Sequence, residues 1–122
     1  MSKHTWVTGT GQEILFDQIC QELKLHSLKD GKVYVGTDSF ISGRECIFAN
    51  AICLHGASGQ RGGRYFFKKS KIPSKRFTTL LQRILHEVQD SINISLNISE
   101  VCPSVEIELH IDVSSKNSKT SK

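Results

Sequence analysis

Three acidic residues of this chain occupy positions where solubility does not require a charge: Asp38, Glu87 and Asp112. Asp38 ends an apolar run after a Gly-Thr step, Asp112 ends an alternating run, and Glu87 lies between them. Three converging carboxylates would repel one another unless a hard divalent cation neutralised them. They are therefore candidate metal ligands, although each acid taken alone is more simply explained as a solvated strand end or helix edge.

A second candidate feature is a block of bases between residues 61 and 76 that contains no acid. The chain carries 16 Lys and Arg residues against 12 Asp and Glu, with a formal net charge of +4. Phosphates bind such a block with release of counterions, so it suits a polyanion, whereas a solvated sheet edge is the alternative. The predicted nucleic-acid-binding residues are Arg61, Arg64, Lys68, Lys69, Lys71, Lys75 and Arg76.

The four cysteines do not indicate a metal site or a disulfide framework. No pair among them has the short spacing of a structural zinc site. We expect buried or half-buried thiols. The first ten residues lack a secretory signal, and the longest nearly apolar stretch is far shorter than the roughly 20 residues of a membrane span. The expected location is therefore cytoplasmic.

The candidate residues need helices and strands to position them. Thr10 and Glu13 form a capping-box pattern that predicts a first helix from about residue 11 to 26. Three strands follow as an antiparallel meander, over residues 33–38, 46–54 and 64–68. Ser74 is the predicted N-cap of a second helix, which carries a continuous apolar stripe and ends near residue 96.

The clearest strand in the sequence is the last one, because residues 105–112 alternate apolar and polar side chains. Its apolar side is expected to pack on the second helix, and Glu87, at the edge of the helix stripe, could then point at the ends of two strands. The element order is α-β-β-β-α-β, which predicts an α/β fold with a mixed sheet and a helical crossover. His110 could assist a reaction by proton transfer or serve the structure alone.

Three segments together resemble the ribonuclease H-like superfamily, and within it the YkuK-like branch: Val35-Gly-Thr-Asp38-Ser39, Glu87 on the helix, and His110-Ile-Asp112. The resemblance covers about residues 31–122. It implies a five-stranded mixed sheet in which the first three strands form an antiparallel meander and the fourth is parallel to the first. It also implies that Asp38, Glu87 and Asp112 bind Mg²⁺ or Mn²⁺ for phosphodiester hydrolysis.

The sequence departs from the family pattern at two places. Phe40 stands where the family usually has a polar Gln, and the chain ends where the family continues into a further helix, strand and helix. The fourth acidic ligand of the family would belong to those C-terminal elements. With them missing, one face of the sheet is expected to expose apolar residues, which predicts a homo-oligomer or a completing partner chain.

The leading prediction is thus a metal-dependent nuclease domain over residues 1–113, followed by a flexible Ser/Lys-rich tail over residues 114–122. The alternative is a catalytically inactive remnant that binds nucleic acid or another protein. A phosphate loop of an actin-like ATPase at residues 36–39 is a third reading, but that fold needs two such halves and the chain is long enough for one.

Overall fold

The computed structural model describes residues 5–59 and 63–111. In these ranges the chain forms six strands, two α-helices and one 3₁₀ turn at Ser74–Arg76. In chain order the strands and helices are β1 (Trp6–Thr8), β2 (Glu13–Ile14), α1 (Phe16–Leu28), β3 (Lys32–Ser42), β4 (Glu45–His55), β5 (Arg64–Pro73), α2 (Leu80–Val101) and β6 (Ile107–His110).

The strands form one mixed sheet in the order β2-β1-β5-β4-β3-β6. β3, β4 and β5 are an antiparallel meander with continuous register, and β6 pairs with β3 in parallel, from Val33 opposite Ile107 to Gly36 opposite His110. The predicted mixed α/β fold, with its meander and parallel last strand, is confirmed. The sheet has six strands in the described ranges instead of the implied five: β3, β4, β5 and β6 are the four strands predicted from the sequence, and the N-terminal residues add β1 and β2 at the β5 edge.

The predicted start of the first helix is wrong, since α1 begins at Phe16 and Thr10 lies in the turn between β1 and β2. In that turn the Thr8 N–H donates to the Gln12 carbonyl at 2.7 Å, and the Gly11 N–H donates to the Thr8 carbonyl at 2.9 Å. Gly11 has a φ of 92°, a conformation that glycine adopts without a steric penalty. Hairpin pairing at this site therefore replaces the capping box.

The second helix also starts later and ends later than predicted. Ser74 begins the 3₁₀ turn, Phe77 is extended, and the true N-cap of α2 is Thr79, whose side chain accepts from the Gln82 N–H at 3.1 Å. The helix continues to Val101 because burial of Ile98 outweighs the weak helix propensity of this segment. Within the described ranges, no helix is long and apolar enough to cross a membrane.

Both helices pack on the same side of the sheet, which we call the helix face. One apolar cluster joins α1, α2 and the strands there; its buried members include Ile19, Leu23, Val33, Val35, Ile52, Leu54, Phe66, Ile94 and Ile98. The other side, which we call the open face, carries the alternate residues of β3, β4 and β5. Neither helix covers the open face.

The last strand follows its predicted packing only in part. Val105 is buried and Ile107 packs against the core, but Leu109 is 39% exposed and Ile111 is 53% exposed. This is because β6 is the edge strand of the sheet. The strand is shorter than predicted, and Asp112 and the predicted tail lie outside the described residues. Self-association and the 1–113 domain boundary stay predictions.

Gly31 should be intolerant of any side chain, because a Cβ there would meet the ring of buried His26. That ring bridges two backbone carbonyls, with Nε2 at 3.1 Å from the oxygens of both Lys32 and His55. We expect Gly31→Ala to lower the free energy of unfolding by about 1–3 kcal/mol in a denaturant titration, as overpacking does. Gly9→Ala is the matched control, since its Cβ would meet only an ordinary contact at 3.8 Å. Equal stability of the two variants would contradict this assignment.

Candidate functional site

Glu87 lies on the buried side of α2 and is 6% exposed. It accepts a hydrogen bond from the hydroxyl of Ser39 on β3. Arg83, one helical turn earlier, donates from Nε to Ser39 Oγ at 3.0 Å and from Nη2 to the Ser39 carbonyl at 3.2 Å. Ser39 therefore connects an acid and a base of the same helix to the sheet.

A second group of polar contacts lies farther along the same interface. Thr37 Oγ1 is 2.8 Å from the Ser91 hydroxyl, and the Asn50 amide donates to Thr37 Oγ1 at 2.9 Å and to Asp90 at 3.3 Å. His86 Nε2 is 3.5 Å from Asp90 Oδ1. We call the two groups of contacts the polar seam; it comprises Thr37, Ser39, Asn50, Arg83, His86, Glu87, Asp90 and Ser91.

Most of the polar seam was missed by sequence reasoning, although a signal for it exists. Val33 and Val35 of β3 face the helices, and the next two residues on that face are Thr37 and Ser39. Hydroxyl groups therefore take the place of apolar groups on a buried face. On α2, Glu87 and Ser91 fall at the helical spacing of the buried residues. Polar residues at buried positions on two neighbouring elements indicate hydrogen bonds between them.

Asp38 lies on the open face and is exposed. Its neighbour Ser39 faces α2, the β3–β4 register runs through both residues without a break, and successive side chains of a strand alternate between faces. Asp38 and Glu87 are therefore on opposite faces of β3. The strands predicted to carry Asp38 and Asp112 are adjacent and parallel, but Asp112 itself lies outside the described residues.

The described residues do not by themselves form a divalent metal site. Within residues 5–59 and 63–111, no group of three or more His, Cys, Asp or Glu residues could hold a metal ion. A cation at Glu87 would compete with the Ser39 hydroxyl and would lie near the charge of Arg83. The three-carboxylate site with Mg²⁺ or Mn²⁺ thus stays a prediction.

The predicted basic residues fall into two groups. Several are engaged by other side chains: Arg64 forms an ion pair with Glu22, Lys68 Nζ is 5.1 Å from the Trp6 ring centroid, and Lys71 Nζ is 3.8 Å from a Glu45 oxygen. The others in the described ranges are exposed and carry their charge in solvent; they are Lys69, Lys75 and Arg76. Arg61 lies outside the described residues.

The cysteines are all free thiols, and three of the four are buried, as expected from the sequence. Burial and the neighbouring Cys102 raise the pKa of Cys20 to about 12. Cys53, on the open face, is half-buried, and burial raises the pKa of its thiol too. Of the four, Cys53 is thus the thiol within reach of a reagent in solution.

The chain is similar to a known protein family. The family model described as Ribonuclease H-like matches residues 14–122. A search of curated proteins and a search of solved structures each returned no match.

Glu87 should contribute to stability through the polar seam. We expect Glu87→Ala to lower the free energy of unfolding by about 1–3 kcal/mol, because it leaves the Ser39 hydroxyl without this acceptor in a buried interface. Glu87→Gln should lose less, since it keeps an oxygen at that position. Glu100→Ala, an exposed site on the same helix, should change stability by less than about 0.5 kcal/mol. If a denaturant titration gives Glu87→Ala and Glu100→Ala the same free energy of unfolding, a structural role for Glu87 is contradicted.

Proposed function

The chain belongs to the ribonuclease H-like family, and from this premise we propose that it is a nucleic-acid-binding domain in which the polar seam has a structural role. The observation that carries the proposal is that the two faces of β3 hold different candidate residues. Glu87 is hydrogen-bonded to Ser39 between α2 and the sheet, whereas Asp38 lies on the open face. The cytoplasmic location expected from the sequence stays a prediction.

Binding is supported by the exposed bases along β5 and the turn that follows it. Lys69, Lys75 and Arg76 present their charge to solvent within a short stretch of chain. Solvated bases of this kind bind phosphates in a way that is independent of sequence and sensitive to salt. Acids are sparse there, with Glu45 beside Lys71 and Asp38 two strands away from Lys69.

The second candidate function is metal-dependent hydrolysis of phosphodiester bonds at Asp38, Glu87 and Asp112. It is favoured by the exposure of Asp38 on a strand that pairs in parallel with the strand leading to Asp112. A bound Mg²⁺ or Mn²⁺ would supply an activated water and charge stabilisation. This candidate requires Glu87 either to break its hydrogen bond with Ser39 or to bind the metal from its present position between α2 and the sheet.

The exposed bases should govern nucleic-acid affinity. We expect the triple variant Lys69→Ala/Lys75→Ala/Arg76→Ala to bind a labelled single-stranded oligonucleotide more weakly. The slope of log affinity against log salt should fall by up to roughly 2, at about 0.7 per lost phosphate contact. The measurement is fluorescence anisotropy at several salt concentrations. Lys24→Ala/Lys29→Ala, two exposed sites on and just after α1, is the control. An unchanged slope in the triple variant would refute this assignment of the bases.

Metal titration separates the two candidate functions. If the chain is a binding domain, calorimetry should show the same weak Mn²⁺ affinity, millimolar or poorer, for the wild type and for Asp38→Asn. If the chain is a nuclease, the wild type should bind Mn²⁺ more tightly than this. The Asp38→Asn variant should then lose both the Mn²⁺ affinity and the cleavage activity while it keeps nucleic-acid binding. Either pattern decides between them.

A further inference from the structure

The open face of the sheet contains a groove of about 290 Å³ whose floor is made of small residues. Gly36 on β3 is paired with Ala51 on β4, and Asp38 is paired with Ala49 in the next open-face row. Gly36, Ala51 and Ala49 put small side chains at the centre of these rows, between larger ones on β5 and β6. The groove is therefore a consequence of residue size.

Aromatic rings form the two walls of this groove. On the β3–β6 side the rings of Tyr34 and His110 have centroids 4.5 Å apart. On the β5 side the rings of Tyr65 and Phe67 are 5.9 Å apart and inclined by only 10°. We call these the two ring pairs. β4 lies between β3 and β5, so the strands that carry Tyr34 and the β5 rings are about 9.5 Å apart, and β6 with His110 lies one strand farther out.

Cations continue the β5 wall beyond the ring pairs. Lys69 and Lys71 are the next open-face residues of β5 after Phe67, and Asp38 lies in the same cross-strand row as Lys69. The open face thus has an aromatic end and a cationic end. Planar apolar rings next to positive charges complement a ligand in which planar bases alternate with phosphates.

We propose that the open-face groove binds single-stranded nucleic acid, with bases stacked on the two ring pairs and phosphates toward Lys69 and Lys71 of β5. The proposal rests on the proposed function and adds the substrate class and the site. Stacking requires unpaired bases, because a duplex keeps its base faces covered. The groove should therefore prefer a single strand to a duplex.

The residue types favour a nucleic acid over a second protein chain as the occupant. The walls are aromatic rings, of which Tyr65 (46% exposed) and His110 are exposed and Tyr34 and Phe67 half-buried, and the floor offers almost no aliphatic side chain for a protein core to pack against. The neighbouring lysines add charge that phosphates complement. A second copy of the chain, whose corresponding surface carries the same lysines, would bring like charges together.

The first test is fluorescence anisotropy with a labelled 12-nucleotide deoxyadenosine strand, in EDTA so that no metal chemistry takes place. Tyr65→Ala and Tyr34→Ala should each weaken binding roughly 5- to 150-fold, the range for loss of one stacked base. Tyr65→Phe keeps the ring and should stay within about twofold of the wild type, as should Leu85→Ala, an exposed apolar site on α2. Wild-type affinity in both alanine variants would overturn the proposal.

The second test uses the unmodified wild-type chain and does not depend on how well variants fold. Cys53 lines the groove, and the other three cysteines are buried. Cys53 is alkylated with iodoacetamide at alkaline pH, and the product is quantified by mass spectrometry over time. The alkylation rate should fall at least about fivefold when the oligonucleotide saturates the protein. Glutathione in the same tube controls for the reagent. An unchanged alkylation rate at saturation would overturn the proposal.

The outcomes also separate this proposal from the function on which it rests. A wild type that binds strand and duplex equally, with no effect of Tyr65→Ala, would leave a nucleic-acid-binding domain without a stacking groove. A wild type that binds neither would refute both. A dimer that dissociates with Tyr65→Ala, while oligonucleotide binding is unchanged, would assign the open face to a second copy of the chain.

Discussion

β3 is the strand on which the other elements depend, because it is hydrogen-bonded on both sides, to β4 and to β6. Its register with β4 is continuous from Lys32 to Ser42, so no bulge turns a side chain to the opposite face. The side chains of Thr37 and Ser39 consequently face α2, and the side chain of Asp38 lies on the open face. The separation of a structural side from an accessible side follows from this one pairing.

The polar seam defines where α2 docks. Apolar contacts such as those of Ile94 and Ile98 have little directional preference, and they alone would tolerate a helix displaced along the sheet. Hydrogen bonds do not tolerate it: a shift of one residue would break the Thr37–Ser91 and Ser39–Glu87 contacts together and leave buried polar groups without partners. The seam therefore fixes the helix position, and the apolar core supplies most of the burial.

The parallel direction of the last strand was implied by the resemblance to the family. Periodicity in the sequence was sufficient to predict the meander and the crossover helix, because these depend on local alternation and on the order of elements. It failed at both helix starts, where Thr10 and Ser74 have the residue types of a cap but the chain forms a hairpin turn and a 3₁₀ turn instead. Local residue type does not reveal that β1 can pair with β5.

The candidate carboxylates show a different limit of sequence reasoning. Their order along the chain is visible, but whether Asp38 or Ser39 faces α2 depends on the phase of the strand relative to the core. That phase can be derived from Val33 and Val35, which are buried. The contact of Arg83 with Ser39 depends on how α2 is rotated on the sheet, and no local pattern contains that information.

The placement of β6 has a consequence for the dynamics of the open face. β6 pairs with β3 only after the whole of β4, β5 and α2 has intervened in the chain, so its closure carries a loop-entropy cost that the meander does not. A four-residue edge strand of this kind opens locally at a lower free energy than the core. Because His110 belongs to β6, each opening removes one ring from the groove, and the apparent association constant for a stacked base is the intrinsic constant multiplied by the fraction of molecules in which β6 is paired. A base stacked on His110 would in turn hold β6 in the sheet by mass action.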